Sequence, residues 1–466
     1  MTTKEYIKLH RKDDVYKLAL GKAPEGVDLQ HALQQIAAYQ TIEKKIPSWA
    51  ECDDLVFPPK LSLEQSSSEL TAQYKAQLIK EFMGGDGFTH IDLTGGMGID
   101  CYFIAQNANA SHYVEQNADL CHIAQHNFTH LNPNIRVHNT TAEEFLNQMT
   151  DNSRQSTVDS QRSTVNFCDK REQSSLLEPT VFEPKVKKLP SGAKINNEVV
   201  NSQLSTFNSQ LSTFNSQLST LIYLDPARRG NHGEKLVSIS DCQPDVVALL
   251  PQMFEITDKV VVKLSPMLDI TRAISELEHI EHLYVISVGN ECKELLLFIN
   301  RNYNAETQIH AINLKSTVNG QQSTVDSQLF SGYLSHESAL SLAYAREVGQ
   351  YIYEPYAAHL KSGLYKTIAE TYGVEKLHQH SHLYTSMELN SEFPGRHFAV
   401  EQVVPFDKKS AKSLFKSLKQ ANITTRNFPL TVSELRTQYK TKEGGATYIF
   451  ATTLYDNSKV LIVCSK

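Results

Sequence analysis

The stretch His90-Ile-Asp-Leu-Thr-Gly-Gly-Met-Gly-Ile-Asp-Cys-Tyr-Phe-Ile104 constrains this chain more than any other. Ile91 and Leu93 flank Asp92, three glycines crowd together at 95, 96 and 98, and apolar residues resume at helical spacing through Ile99, Phe103 and Ile104. The pattern predicts a strand, a tight turn and a helix, the opening unit of an α/β fold. Glycines let the main chain turn sharply and come into contact with a ligand. The helix that follows starts with unpaired N–H groups, which suit a carboxylate or a phosphate.

The dinucleotide fingerprint G-x-G-x-x-G fits poorly, because with Gly96 and Gly98 as its first two glycines the third falls on Cys101. The form D-x-x-G-G-x-G-x-D resembles motif I of class I S-adenosylmethionine-dependent methyltransferases. That resemblance implies a loop packed on the methionine and ribose of the cofactor, with Asp92, Thr94, Gly95, Gly96, Gly98 and Asp100 as its candidate contacts. A second apolar run, His112-Tyr-Val-Glu-Gln116, ends in an acid. A carboxylate there can accept both ribose hydroxyls of an adenosine, so Glu115 is the expected sugar clamp, with Gln116 beside it. Ile135-Arg-Val137 gives a third strand, and Asn139 to Phe145 a turn entering a helix. Thr141 and Ala142 are the expected adenine-edge contacts, Thr141 standing where such enzymes usually carry Asp.

Leu221-Ile-Tyr-Leu-Asp-Pro-Ala-Arg-Arg-Gly230 is the second anchor. Four apolar residues lead to Asp225 at the carboxyl end of a buried strand, where open α/β sheets bind ligands, and Pro226 ends the ladder. In this chain order it resembles methyltransferase motif IV. Asp225, Pro226, Arg228 and Arg229 are therefore the catalytic candidates, and Asp225 also borders the cofactor. Base-amine methyltransferases commonly show Asp-Pro-Pro and an aromatic here; Ala227 and Arg228 replace them. The two arginines could clamp an anionic substrate or fix the loop by a salt bridge.

At 466 residues the chain can bury more than one core. Its net charge of -7 excludes a protein that is basic all over. Seven scattered cysteines with no C-x-x-C suggest a reducing compartment and supply no zinc or disulfide pattern. No run approaches a membrane span and the amino terminus has no apolar leader, so the expectation is a cytoplasmic protein without membrane or metal partners.

Residues 1–84 read as a helical region, with Val15, Leu18 and Leu20, then Leu29, Ala32, Leu33, Ile36 and Ala37 at helical spacing. Its tract Gln65-Ser-Ser-Ser-Glu69 could cap a helix or, through Gln65, Ser67 and Glu69, cover the cofactor. The methyltransferase domain is expected over 85–300. Within it, about 151–220 repeats the phrase Asn-Ser-Gln-Leu-Ser-Thr-Phe and reads as an insertion by local duplication. Strands at Leu283–Val288 and Glu294–Ile299 are expected to close the sheet, with Cys292 in the turn between them. Cys242 is placed in the following helix region, too far from Asp225 for a thiolate mechanism. A Lys263–Asp225 pair serving ribose methylation is a further option. Residues 301–331 read as a low-complexity linker, 332–390 and 391–466 as two small terminal units. His378, His380 and His382 alternate before a strand at 383–386, with no partner ligand that would make a metal site.

The last unit is locally basic. From Lys408 to Lys442 nine Lys or Arg stand against one acid, Glu434. A solvated helix face accounts for part of this. The continuation through Arg426-Asn-Phe-Pro429 and Arg436 interleaves cations with an aromatic, which suits phosphates and stacked bases.

The order of the Ser-rich tract, Asp-Leu-Thr-Gly-Gly-Met-Gly-Ile-Asp, Asp-Pro-Ala-Arg-Arg, Lys-Leu-Ser-Pro, Arg-Asn-Phe-Pro-Leu and Glu-Gly-Gly-Ala-Thr-Tyr resembles a bacterial family of class I methyltransferases with a ferredoxin-like segment and a C-terminal THUMP-like domain. The resemblance implies a Rossmann-like sheet, S-adenosylmethionine as cofactor and RNA as methyl acceptor, docked by Arg396, Lys412, Lys416, Lys419, Arg426 and Arg436. Methylation of a small molecule or protein, and a non-catalytic RNA-binding scaffold, are the competing functions. The sequence does not fix the oligomeric state or the methylated atom.

Overall fold

The computed structural model describes residues 1–58, 60–132, 134–151, 219–228, 238–315 and 329–466, without the side chains of 60–62 and 228. Most of the repeat-bearing insertion, Arg229, and 316–328 of the expected linker lie outside the described residues. The chain divides into two compact units, Met1–Leu224 with Pro244–Val260, and Asp225–Gln243 with Val261–Lys466.

The first unit opens with helices α1 (Thr3–His10), α2 (Val15–Ala19), α3 (Leu29–Lys45), α4 (Pro47–Ala50), α5 (Lys60–Gln65) and α6 (Glu69–Met83). Asp28 caps α3 by accepting from the His31 N–H, and Ala32, Ile36, Tyr39 and Ile42 bury one face of it. Leu20, expected on an apolar face, is instead 90% exposed beyond the end of α2. Four parallel strands follow in the spatial order β4-β1-β2-β3: β1 (Phe88–Asp92), β2 (Ala108–Glu115), β3 (Ile135–Asn139) and β4 (Thr220–Leu224). Helices α7 (Ile99–Ala105) and α8 (Ala118–Leu131) connect the first three. All five residues of β1 and the last four of β4 are buried, as parallel strands covered on both faces require.

In the second unit a two-residue strand β5 (Ala227–Arg228) pairs antiparallel with β6 (Cys242–Gln243). Strand β7 (Lys259–Leu264) carries the chain from one unit into the other. It continues into the order β11-β10-β8-β9-β7, with β8 (Ile280–Val288), β9 (Glu291–Asn300), β10 (Gln308–Leu314) and β11 (Phe330–Gly332). The expected antiparallel closing pair is β8 and β9. Cys292 is not in the turn: it lies within β9 opposite Ser287, because the turn is only Gly289 and Asn290, both at positive φ. The linker expected over 301–331 contains β10, which runs parallel to β8 with six of its seven residues buried, and β11 at the edge. The neighbouring Ser-rich text conceals this strand from composition.

A second sheet has the order β13-β14-β12-β15-β18-β17-β16: β12 (Tyr351–Pro355), β13 (Glu375–Lys376), β14 (Tyr384–Ser386), β15 (Gly395–Pro405), β16 (Asn422–Arg426), β17 (Tyr448–Thr453) and β18 (Lys459–Ser465). The two small units expected on either side of residue 390 thus share one sheet, joined by β12 against β15. The helix Lys408–Ser417 packs Ala411 and Phe415 under it with Ile423, Leu435 and Ile449. His378, His380 and His382 occupy a turn, with His382 at φ 50, and do not alternate along a strand.

Candidate cofactor site and acceptor-side loop

The glycine turn is built as its sequence demands. Gly96 and Gly98 sit at φ +53 and +80, the left-handed region that side chains rarely adopt. At Gly95 the constraint is space: a Cβ there would lie 2.2 Å from the Tyr113 ring. Tyr113 on β2 is fully buried and its hydroxyl donates to the Gly96 carbonyl at 2.5 Å, so the ring that excludes a side chain at 95 also fixes the loop's tip. Burial raises the Tyr113 pKa, which keeps that donor protonated.

Glu115, at the end of β2, reaches this turn. One carboxylate oxygen accepts from the Gly96 N–H at 3.0 Å and the other from the Asn117 N–H at 2.8 Å. Each oxygen has a second lone-pair direction for a ligand donor. Gln116 is held by its carbonyl, which with that of Glu115 accepts from the Asn139 side-chain amide. Asp92 is 1% exposed and accepts from the Thr94 N–H at 3.0 Å, so both stabilise the turn from below. Thr141 caps the helix over residues 142–151, its hydroxyl accepting from the Glu144 N–H. Ala142, the first residue of that helix, is buried.

Asp100 is placed differently from a ligand contact. One oxygen accepts from Ser67 Oγ and from the Tyr223 hydroxyl, each at 2.9 Å, and the other lies 3.1 Å from Lys75 Nζ. Lys75 is completely buried and also donates to Ser67 at 2.8 Å. This four-residue network joins the Ser-rich tract, α6, the first turn of α7 and β4. Of the two options the sequence allowed for this tract, capping is what the hydrogen bonds show: Ser68 caps α6 with Thr71, while Ser67 ties the tract to Asp100 on the turn's helix. Sequence reasoning missed Lys75 and Tyr223. The available signal was a lysine at a position of α6 shared with Thr71, Leu78 and Phe82, an apolar face.

β4 runs parallel to β1 with Tyr223 opposite Asp92, and Leu93 N–H donates to the Tyr223 carbonyl. The motif IV strand thus ends beside the glycine turn, and Asp225 is the second residue after Tyr223. In the second unit Asp225 pairs with Lys263 at 2.5 Å; the lysine is 8% exposed, the aspartate side chain 40%. Pro226 is buried. Arg228 lies in β5 opposite Cys242, so Cys242 is not down a helix but beside motif IV and 4% exposed. A two-residue ribbon is too short to announce itself by periodicity. The Arg228 side chain and all of Arg229 lie outside the described residues.

Of the expected RNA contacts, Lys412, Lys416 and Lys419 are exposed on and just after the helix Lys408–Ser417. Arg396 and Arg426 instead converge on Glu354, which is 3% exposed, and Arg436 lies 4.0 Å from Glu443. Among the described residues no group of three or more His, Cys, Asp or Glu could hold a metal ion, and no helix is long and apolar enough to cross a membrane.

Two domain families match the chain: a ferredoxin-like domain over residues 351–394 and a THUMP domain-like family over 395–466. A crystal structure from Porphyromonas gingivalis W83, of a protein assigned as a methyltransferase, is 30% identical, covers 100% of this chain and 97% of its own, and superimposes with a TM-score of 0.75. A Pyrococcus horikoshii protein assigned as an RNA methyltransferase is 11% identical over 55% of this chain and 96% of its own, TM-score 0.28. A Streptococcus thermophilus rRNA methylase is 8% identical over 49% and 94%, TM-score 0.25. Likeness at those last two levels has no bearing on substrate. No curated protein matches the sequence.

Proposed function

Because the chain belongs to the bacterial family of class I S-adenosylmethionine-dependent methyltransferases with a C-terminal THUMP-like domain, we propose that it binds S-adenosylmethionine and methylates RNA. The observation that carries the cofactor part is the Glu115 carboxylate on the Gly96 N–H, beside glycines whose φ values and tight packing leave the main chain bare. Gly95, Gly96, Gly98, Glu115, Gln116 and Ala142 would hold the nucleotide, with Asp92, Thr94 and Thr141 supporting them. The cofactor supplies an electrophilic methyl group on sulfonium.

The chain's own contribution is alignment and proton handling. Asp225, steadied by Lys263, would accept a hydrogen bond from the acceptor's N–H or O–H, orient the lone pair that takes the methyl group, and pass to solvent the proton the acceptor loses as the sulfur–methyl bond breaks. A carboxylate at this place favours an acceptor that carries a proton over one that does not, since only then does it have a donor to accept from. Arg228 and Arg229 follow Asp225 within four residues in the sequence, and their guanidinium chemistry suits an anionic substrate. The basic C-terminal region then docks the polyanion, its phosphate contacts giving a binding constant that falls steeply with salt.

Nucleoside mass spectrometry of RNA from cells with and without the protein tests the reading. It predicts one methylated nucleoside lost in the deletion and restored by the wild-type gene but not by Asp225→Ala. Identical nucleoside profiles, with labelled methyl passing from the cofactor into protein or small molecules, would transfer the acceptor to another class.

A further inference from the structure

The ferredoxin-like and THUMP-like segments bring two arginines and the turn over residues 378–382 together around one buried carboxylate. Glu354 on β12 faces Arg396 across the β12–β15 ladder and takes Nε and Nη2 of that arginine on one oxygen, while Arg426 Nη2 donates to the other at 2.9 Å. Two guanidinium groups therefore share a single buried carboxylate, and each side chain is more than a third exposed. The next residue, Asn427, stands at φ 50 and donates its side-chain amide to His378 Nδ1 at 3.0 Å; the His380 main-chain N–H donates to the same atom at 3.0 Å. Since Nδ1 accepts twice, the neutral His378 ring carries its proton on Nε2 and presents a donor on its other side.

His380 is exposed, and His382 lies behind it against Tyr365 with ring centroids 3.8 Å apart. Burial, and then the charges of Lys376, His380 and Arg426, push His382 down to about 4. Lys376, buried under the turn with Glu337 and Lys366 near it, is lowered to about 8, chiefly by desolvation.

We propose that this seam, formed by His378, His380, Arg396, Arg426 and Asn427, is the seat of an RNA phosphate, separate from the lysines of the helix Lys408–Ser417. The proposal rests on the RNA reading given above and adds the place where the backbone is gripped. Planar guanidinium groups held by Glu354 are pre-oriented for a phosphate, whereas the helix lysines are free point charges that contribute attraction without position.

The test is fluorescence anisotropy of the full chain with a fluorescein-labelled RNA hairpin over a range of salt. Arg426→Gln is the first variant, because Arg396 still satisfies Glu354 and the new amide can donate to it. The expected result is binding about tenfold weaker, a log–log salt slope smaller by about 0.7 to 0.9, and an unchanged melting temperature. Should Arg426→Gln melt early, the exposed pair His380→Gln and Asn427→Ala carries the test with the same expected loss of affinity, at an unchanged slope because no Lys or Arg is removed. Wild-type affinity and slope in these variants, with binding lost in Lys412→Glu/Lys416→Glu/Lys419→Glu, would overturn the seat and leave docking to the helix. Failure of the wild type to bind RNA would instead remove the RNA reading itself. In that event a melting temperature raised by pyrophosphate in the wild type and not in Arg426→Gln would mark an anion site of another purpose.

Discussion

Replacing Lys75 by Met removes a charge from the centre of the first unit while keeping most of the side chain's volume. Lys75 is completely buried, 3.1 Å from Asp100 and 2.8 Å from Ser67, and the Asp100 side chain is only 10% exposed. Breaking a buried pair by deleting one partner typically costs about 3 to 5 kcal/mol, because the remaining charge is uncompensated. Ser67 and Tyr223 still donate to Asp100, so the lower end, about 3 kcal/mol, is expected. In Lys75→Met/Asp100→Asn a neutral amide keeps an oxygen for those donors, and more than half of the loss, about 1.5 kcal/mol or more, should return. Urea unfolding at pH 7 followed by circular dichroism measures both. A Lys75→Met variant within about 1 kcal/mol of wild type, or a double variant no more stable than the single, would refute the buried-pair account.

Three further outcomes follow from the same unit. Gly95→Ala drives a methyl group into the buried Tyr113 ring and should lower stability by about 1 to 3 kcal/mol, read as an earlier thermal transition. His90 is completely buried, burial and then His112 push it down to about 3, and neither ring nitrogen has a hydrogen-bond partner. The folded value lies below the unfolded one of about 6.5, so its stability contribution is whole above that pH and is lost as pH falls toward 3, about 2 kcal/mol being gone at pH 5. His90→Leu should flatten that acid limb of urea midpoint against pH at no cost at pH 7; an unchanged limb would contradict the assignment. Glu115→Ala should lower melting without ligand modestly, since two main-chain N–H groups lose their acceptor, and abolish the rise that saturating S-adenosylmethionine gives the wild type.

The parts of the site that were legible in the sequence are those the backbone itself dictates. Gly95, Gly96 and Gly98 are glycine for φ or for space, and the acid that ends β2 bonds to their turn, so the strand–turn–helix pattern and the apolar run ending in Glu115 are enough to place that half of the site. Tertiary pairing was not legible. Asp100 matched a ligand pattern, yet its partners Ser67, Lys75 and Tyr223 come from three other elements. Arg396 and Arg426 read as basic surface in the sequence, but Glu354, which orders them, is far upstream and gives no sign of the pairing. β10 reads as linker because Ser-rich text follows it, and β6 is too short to show a period, which conceals Cys242 beside motif IV.

Isothermal titration of S-adenosylmethionine into the full chain tests the central claim most directly. The account predicts one saturable site in the wild type, weakened by at least about a hundredfold in Glu115→Ala and in Gly96→Asp, the second because it adds a side chain and a charge at a positive-φ position of the turn. Absence of binding to the folded wild-type protein, or equal affinity in all three, would contradict it.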